Sequence, residues 1–518
     1  MKISSRARIA RAAGLVMALF VVSRALGLLR EVVISHQFGT GGDLDAYLAA
    51  FRVPDILFQI VAGGALASAF IPTFATYLAA DDEAGAWHLA SAVINLVLLL
   101  TAALSAAAAW FAPWLVSTIV APGFDPARQA LTAELMRWML LTPAIFGVSG
   151  VVMGILNARQ HFLLPALAPV IYNLGIIAGA LLLAPTWGVR GLAAGVVVGA
   201  IGHLLVQVPG LVHHGLRYRL ALGLRDPGVR EVGRLMLPRV VGLAAVQINF
   251  LVNTILASGL APGSLAALNY AWLLMLLPQG VFAQSVATAA FPTFSDQVAR
   301  GEHEEMRGTL TATLRAVLYL TLPAAAGLLV LRELVVQLVF QRGAFTAGST
   351  EMVAWALSLY VLGLPAHAVV EIVVRAFYAT HDTRTPVIVG VVVMALNVGL
   401  SLALIALFRA AGWMPHGGLA LSNSLATTVE MVVLLALIRR RLEGLEGRRM
   451  AASLARTGAA TGLMAAVVAV LAALLADQSP WLAGGAAVAG GTLAYAGLSL
   501  ALGSGEPRAV WHLLRRRR

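Results

Sequence analysis

The 518-residue sequence contains no cysteine, and charged residues make up only 12% of it. The lack of cysteine excludes disulfide bonds and thiolate metal sites. A soluble domain carries about 25% charged residues, so most of the surface of this protein cannot face water. Hydrophobic residues account for 60% of the chain. This composition is typical of an integral membrane protein.

Lysine is almost absent as well. Lys2 is the single lysine among 36 basic residues, and the formal net charge is +12. Such a charge can indicate a nucleic-acid partner. Here, however, the arginines are separated by long apolar segments and form no single patch, so we expect no nucleic acid. Arginines beside membrane spans instead match cytoplasmic loops that face anionic lipid.

The common sequence motifs of enzymes are also missing. The chain has no glycine-rich phosphate loop with lysine, no H-E-x-x-H and no G-x-S-x-G. The histidines at 88, 203, 367 and 381 are too scattered to predict a metal site. We therefore expect a protein that is not an enzyme and needs no cofactor. Any transport would have to run on an ion gradient, a membrane potential or the gradient of its substrate.

Long apolar segments fill most of the chain. A membrane-spanning helix needs ~20 apolar residues, and fourteen segments meet this requirement. They cover residues 10–36, 44–79, 87–117, 129–157, 163–184, 191–213, 235–259, 264–298, 309–331, 349–379, 385–408, 417–438, 451–475 and 480–503. The sequence therefore predicts an all-α integral membrane protein with about fourteen transmembrane helices.

The placement of arginine predicts the orientation of these spans. With the N-terminus inside, the inside segments hold arginine clusters within 217–234, 439–449 and 515–518. The outside segments hold only Arg128, Arg190, Arg332, Arg342 and Arg409. Because the number of spans is even, we expect a multi-pass protein of the bacterial cytoplasmic membrane with both termini in the cytoplasm.

Two short motifs recur at nearly the same offset along the chain. The segment 69–74 is echoed by 290–294, so that Pro72 matches Pro292, and a weaker echo matches Pro165 to Pro386. The two offsets differ by a single position, which favours duplication of a six-span unit. Both copies would enter the membrane from the same side, related by a pseudo-twofold axis along the membrane normal with a cavity between them. The predicted domains are an N-lobe (1–215), a C-lobe (216–445) and a C-terminal helix pair with a basic tail (446–518).

Charged side chains inside the first two predicted spans are the candidates for a functional site. A charge at the centre of the bilayer costs ~2.5–3.5 kcal/mol on insertion scales, so such residues usually face a cavity or one another. These positions are Arg24, Arg30, Glu31, Asp45, Arg52 and Asp55. The segment 240–294, which covers most of the matching spans of the second repeat, carries no charge at all.

Two interpretations of these charges remain open. Arginine binds phosphate oxygens well through its planar guanidinium group, and our hypothesis is that Arg24, Arg30 and Arg52 line a central cavity and bind a pyrophosphate. The alternative is structural: Asp55 or Asp45 neutralises Arg52, and Arg30 pairs with an acid close by.

Elsewhere, the four-residue spacing of Glu371 and Arg375 predicts an ion pair within one helix. Amides in the spans predict hydrogen bonds between helices; these are Asn173, Gln247, Asn249, Asn253, Asn397 and Asn423.

An ordered series of short motifs resembles the MurJ (MviN) family of lipid II flippases. The motifs occur along predicted spans one to twelve at 23–31, 38–39, 45–47, 51–54, 69–72, 121–124, 165–169, 269–271, 342–345, 377–379 and 382–386. The resemblance implies the multidrug/oligosaccharidyl-lipid/polysaccharide exporter fold. That fold has two six-helix lobes, and in this family two further C-terminal helices form a lipid-facing groove.

The same resemblance implies a function. Members of the family move an undecaprenyl-pyrophosphate-linked disaccharide-pentapeptide from the inner to the outer leaflet, and residues matching Arg24, Arg30 and Asp45 belong to the functional cavity. We place Arg52 with them and expect a monomer whose partners are the lipid-linked glycan and membrane lipids. The chain departs from the family pattern where charged residues are usual: it has Phe58, Gln59, Gly63 and Leu273.

These departures keep two further functions under consideration. One is a flippase for a different lipid-linked oligosaccharide, and the other is a scaffold of envelope synthesis that does not transport. A drug or cation antiporter of the same fold is disfavoured, because three arginines accompany the three acids in the first two spans and the matching spans add no acid.

Overall fold

The computed structural model describes residues 5–61 and 64–506, so Lys2, Gly63 and the arginine run at 515–518 lie outside the described residues. Within those two ranges the chain is almost entirely helical and contains no β-strand. This confirms the predicted all-α class.

The chain forms two compact units. The first unit comprises Met1–Gly263 with Arg342–Phe345, and the second comprises Ser264–Gln341 with Thr346–Arg518. The first unit contains α1 (Ser5–Phe38), α2 (Gly42–Ala50), α3 (Arg52–Val61), α4 (Gly64–Ala79), α5 (Glu83–Trp110), α6 (Ala112–Leu115), α7 (Pro126–Met139), α8 (Thr142–Ala158), α9 (Leu163–Ala178), α10 (Ala184–Trp187), α11 (Val189–Leu205), α12 (Val208–His213) and α13 (Pro227–Ser258). The second unit contains α14 (Ser264–Pro278), α15 (Ser285–Ala299), α16 (His303–Val330), α17 (Arg332–Phe340), α18 (Ala347–Tyr360), α19 (Leu364–Ala379), α20 (Arg384–Ala410), α21 (His416–Arg441), α22 (Gly447–Leu474) and α23 (Pro480–Ala501).

Eleven helical segments among the described residues are long and apolar enough to cross a membrane. They correspond to the third to sixth and the eighth to fourteenth predicted spans. The first, second and seventh predicted spans are helical where they are described, as α1, as α2 to α4 and as α13. The total of fourteen transmembrane helices and the domain limits at 215 and 445 remain predictions.

The second predicted span, 44–79, is occupied by α2, α3 and α4 in the described residues. Helix α2 ends at Ala50 and α3 begins at Arg52, with Phe51 between them. The helical backbone nevertheless continues through Phe51, because its φ and ψ are −68° and −23° and its N–H donates to the Tyr47 carbonyl oxygen at 3.2 Å.

Glycines bring α9 and α11 close together. A Cβ atom added to Gly175 would lie 2.3 Å from the Cα of Gly199, and one added to Gly179 would lie 2.5 Å from the Cα of Gly195. Gly175 in α9 and Gly179 directly after it thus face Gly199 and Gly195 of α11, with four-residue spacing on both sides of the contact. Small residues at this spacing allow helix backbones to approach closely in a membrane.

Backbone turns recur at the offset expected for a duplication. Positive φ angles occur in five pairs whose members are separated by almost the same stretch of chain as Pro72 and Pro292. The pairs are Gly39 and Gly263, Asp81 and Gly301, Gln160 and His381, Gly188 and Gly412, and Gly223 and Glu443. Such angles are uncommon outside glycine, so chance is a poor explanation for their regular recurrence. The turns support the duplication of a six-span unit.

A buried histidine cluster provides a second structural match. In the first unit, His203 Nδ1 lies 2.7 Å from Ser149 Oγ, to which Gln207 donates a hydrogen bond. In the second unit, His367 Nε2 lies 3.1 Å from Asn423 Oδ1 and 3.3 Å from Thr427 Oγ1. The offset of the duplication relates His203 to Asn423 and also relates Gln207 to Thr427. Each cluster joins the helices of the fourth and sixth spans of its repeat.

Aromatic side chains occupy the centres of the units. Phe70, Phe74 and Trp87 belong to a buried cluster of the first unit, and Phe294 and Phe377 belong to one in the second. A further cluster contains Tyr319, Met464 and Tyr495 and packs α22 and α23 against α16. The predicted C-terminal helix pair is therefore packed on the second unit.

Candidate functional site

Arg30 lies near the end of α1, where it forms an ion pair with the next residue. Its Nη2 and Nε donate to Glu31 Oε1 at 2.6 and 3.1 Å, and its Nη1 donates to Asn173 Oδ1 at 3.1 Å. These bonds use three of the five N–H groups of the guanidinium. The side chain is 27% exposed. Arg30 is therefore held in place by α1 and α9 and retains two N–H groups for another acceptor.

Arg52 begins α3, and its direct contacts are with neutral groups. Its Nε donates to Thr254 Oγ1 at 2.7 Å, and its Cζ lies 5.6 Å from the ring centre of Phe250 on α13. Among the described residues no carboxylate oxygen lies within 4.0 Å of its guanidinium, although Asp55 is close enough to interact electrostatically. A half-buried cation in this setting lacks direct compensation, which is unfavourable unless a ligand supplies it.

Asp55 is directed to a different partner. Its Oδ2 accepts a 3.3 Å hydrogen bond from Gln247 Nε2 on α13. A direct ion pair between Arg52 and Asp55, one of the alternatives that the sequence left open, is not formed among the described residues.

Arg24 is exposed on α1, six residues before Arg30. Its Cζ lies 5.7 Å from the ring centre of Phe20, a distance that permits a cation–π contact. No other contact of the Arg24 guanidinium is found with the described residues. It is the most accessible of the three candidate arginines.

Asp45 has a structural position. The residue is 2% exposed, and its Oδ2 accepts a 2.6 Å hydrogen bond from the backbone N–H of Gly263. Gly263 has a φ of +87°, and a Cβ at this position would lie 2.1 Å from the Thr40 carbonyl oxygen. Asp45 thus anchors the turn that follows α13.

The four candidate residues therefore lie in four environments. Arg24 is exposed, Arg30 is compensated by Glu31, Arg52 contacts neutral groups directly, and Asp45 binds backbone. Sequence reasoning missed Thr254, because an uncharged residue in an apolar helix gives no signal. The amides of Asn173, Gln247 and Asn423 do link helices, and Glu371 does pair with Arg375 at 2.7 Å. Asn253 instead donates to Asn249 within α13, and Asn397 accepts from Ser401 within α20.

No metal centre is evident in the described ranges, where no group of three or more His, Asp or Glu side chains is arranged to hold a metal ion. The candidate site is thus one of arginine and hydrogen-bonding side chains. Its chemistry suits binding of an anion.

Sequence comparison gives consistent matches. A family model described as lipid II flippase MurJ matches residues 34–484. A probable lipid II flippase MurJ of Rhizobium meliloti (strain 1021) is 34% identical over 404 residues, covering 75% of this chain and 74% of that protein. The corresponding protein of Vibrio cholerae serotype O1 is 30% identical over 443 residues, covering 82% of each.

Structural comparison agrees with these matches. A lipid II flippase MurJ in an inward closed conformation superimposes with a TM-score of 0.78 at 25% identity, covering 94% of this chain and 98% of the other. An inward-facing multidrug resistance transporter of the MATE family, within the MOP superfamily, gives a TM-score of 0.65 at 16% identity, covering 83% and 98%. The second likeness shows the shared transporter fold alone.

Proposed function

We propose that this chain, which belongs to the lipid II flippase MurJ family, moves lipid II from the inner to the outer leaflet by alternating access. Lipid II is a polyprenyl-pyrophosphate-linked peptidoglycan precursor, so the protein must receive an anion inside a membrane. The observation that carries the proposal is the environment of Arg52, a half-buried guanidinium beside Thr254 and Phe250 with no described carboxylate within 4.0 Å.

The pyrophosphate would contact the three arginines in different ways. Arg24, which is exposed, would meet it first. Arg52, which has no described carboxylate within 4.0 Å, would gain a direct counter-charge. Arg30 would contribute the N–H groups that Glu31 and Asn173 leave unused. A charge-assisted hydrogen bond to phosphate is roughly twice as strong as a neutral one. Asp45, bound to Gly263, would position the surrounding backbone rather than touch the substrate.

We also propose the setting in which the protein works. It would act as a monomer in the bacterial cytoplasmic membrane, with both termini in the cytoplasm, and it would need no cofactor, nucleic acid or catalytic step. The arginine-rich inside segments and the missing nucleotide-binding motif support this arrangement. The energy for release of the substrate would come from its removal outside, from an ion gradient or from the membrane potential.

Rescue of a bacterial strain depleted of its own lipid II flippase tests the proposal. The wild-type chain should restore growth, and Arg52→Gln and Arg24→Gln should each impair it at equal expression. Arg190→Gln is the matched control, because Arg190 is an exposed arginine that pairs with Glu134 at 2.7 Å near the end of a span.

Two outcomes would count against the proposal in different ways. Full rescue by both arginine variants would remove the anion site. Failure of the normally expressed wild type would favour a different lipid-linked substrate, in agreement with the uncharged residues Phe58, Gln59 and Leu273. Binding of purified polyprenyl-pyrophosphate glycan by such a chain would then distinguish a flippase from a scaffold.

A further inference from the structure

A group of basic side chains lies in the first unit where four candidate membrane spans end together. Glu83 begins α5, Arg159 follows α8, His161 precedes α9, and His213 ends α12, with His214 directly after it. We name Arg159, His161, His213, His214 and Arg217 the basic cluster. Glu83 is the one acid found in contact with it in the described structure. Its position at the span ends corresponds to the depth of lipid head groups.

Arg159 is the most firmly held member of the basic cluster. Its Nη1 and Nη2 donate to the two carboxylate oxygens of Glu83 at 3.1 and 2.6 Å. Its Cζ lies 5.4 Å from the ring centre of Trp87 and 6.0 Å from that of Phe74. The Arg159 side chain is only 13% exposed. The Arg159 guanidinium is thus fixed in orientation by Glu83 and the two aromatic rings.

Three nitrogen atoms of the basic cluster are buried without a hydrogen-bond partner among the described residues. They are Arg159 Nε, His161 Nε2 and His214 Nε2. The ring centres of His161 and His214 are 5.8 Å apart, and those of His213 and His214 are 5.3 Å apart. Buried polar atoms are nearly always paired, so three unpaired nitrogens in one place indicate a missing acceptor.

The electrostatics of the cluster indicate the charge of that acceptor. Partial burial lowers the pKa of His214, and the nearby Arg159, His213 and His161 lower it further. Arg217 is exposed and adds another positive charge close to Glu83. The cluster thus has an excess of positive charge and of N–H donors, which an anion with several oxygen acceptors would satisfy.

We propose that the basic cluster binds a phosphate group, either on the head group of an anionic lipid or free in solution. Arg159, His161 and His214 would donate to its oxygens, and Arg217 would add electrostatic attraction from the rim. The site is separate from the arginines proposed to receive the transported substrate. A metal ion is a poor fit, because a permanently charged guanidinium forms part of the lining.

The test uses the full-length protein purified in a neutral detergent. Calorimetric titration with sodium phosphate, against sodium chloride at the same ionic strength, should show binding to the wild type. The double variant His161→Leu, His214→Leu should bind about tenfold more weakly or worse, because two hydrogen bonds to a charged ligand are lost. Arg217→Gln should weaken binding about two- to fivefold, as expected for an exposed charge. His303→Leu is the matched control, since His303 is an exposed histidine of the second unit.

Nanodiscs distinguish the two sources of phosphate. Protein in discs of phosphatidylcholine is compared with protein in discs that also contain phosphatidylglycerol, and the change in unfolding temperature is measured. A stabilisation by phosphatidylglycerol that the double variant lacks identifies a lipid ligand, whereas binding of sodium phosphate alone identifies a soluble one.

The proposal is overturned if neither phosphate nor phosphatidylglycerol distinguishes the wild type from the double variant. If the double variant fails to fold, the Arg217→Gln variant tests the proposal instead, because the exposed Arg217 side chain is not packed in the protein interior. Unchanged binding by that variant in both assays would also overturn the proposal.

Discussion

The Asp45 carboxylate accepts the backbone N–H of Gly263 at 2.6 Å, across 218 residues of sequence. Gly263 in turn packs with its Cα against Thr40, at a distance that leaves no room for a side chain. This contact ties the start of α2 to the turn after α13, so both repeats contribute to a single piece of backbone structure within the first unit. A residue that the family resemblance assigns to the functional cavity therefore has a clear structural task.

Asp45→Ala should destabilise the protein by about 1.5–3 kcal/mol, because the buried Gly263 N–H loses a charged acceptor. Asp45→Asn should have a smaller effect, since an amide oxygen can still accept the bond. Asp43→Ala is the control, as Asp43 is exposed on the same helix. The measurement is the unfolding temperature in detergent, and equal stability of the three variants would contradict the structural role.

Gly175→Ala should disrupt the contact between α9 and α11. The added methyl group would lie 2.3 Å from the Cα of Gly199, and relief of such overpacking costs about 1–3 kcal/mol. Gly458→Ala is the matched control: Gly458 lies inside α22 with no atom within 4 Å of its Cβ position. It should be neutral or stabilising by up to about 1 kcal/mol, because alanine favours helix. The measurement is the unfolding temperature of both variants. A Gly175→Ala variant as stable as Gly458→Ala would exclude the tight contact between α9 and α11.

Arg315 and Glu506 should show a coupling free energy of at least about 1 kcal/mol in a double-mutant cycle with glutamine substitutions. Arg315 Nε donates to Glu506 Oε1 at 3.0 Å, Ser453 Oγ donates to the same oxygen at 2.6 Å, and Glu506 is 3% exposed. The contact joins the residues after α23 to α16 and α22.

The control for this cycle is Arg332 with Glu333, whose side chains are 39% and 70% exposed. An exposed pair contributes about 0–1 kcal/mol. A coupling for Arg315 and Glu506 no larger than that of the control would argue against a role for them in holding the C-terminal helices.

Asp382 should make stability depend on pH in the acidic range. The backbone and hydroxyl of Thr385, followed by Arg441, lower the pKa of Asp382 to about 2. Because this value lies below the ordinary ~3.9 of aspartate, the carboxylate stabilises the fold fully above pH ~4 and loses this effect as the pH falls towards 2.

The difference in unfolding temperature between wild type and Asp382→Asn should therefore be constant near neutrality and shrink from pH ~4 downwards. Asp296→Asn, in an exposed pair with Arg300, should differ little from wild type throughout. A wild-type advantage over Asp382→Asn that persists unchanged at pH 2 would contradict this account.

Much of the fold was predictable because apolar length and arginine placement directly reflect the bilayer. The site was less predictable. The sequence indicated which charges lie in the first two helices, but Arg52 could equally have paired with Asp55. That choice depends on Thr254 and Gln247 of α13, which lie far from them in the chain. The basic cluster was missed for the same reason, since His161 and His214 meet only after α8, α9 and α12 have packed.

The sequence by itself determined the all-α membrane class, the duplicated six-span pattern and the family, because hydropathy, repeat spacing and ordered motifs are properties of the linear chain. Only the tertiary structure decided which cations are compensated and which are not. The compensation of a buried charge depends on atoms within a few ångströms, and for Arg30, Arg52 and Asp45 those include side chains or backbone supplied by other helices.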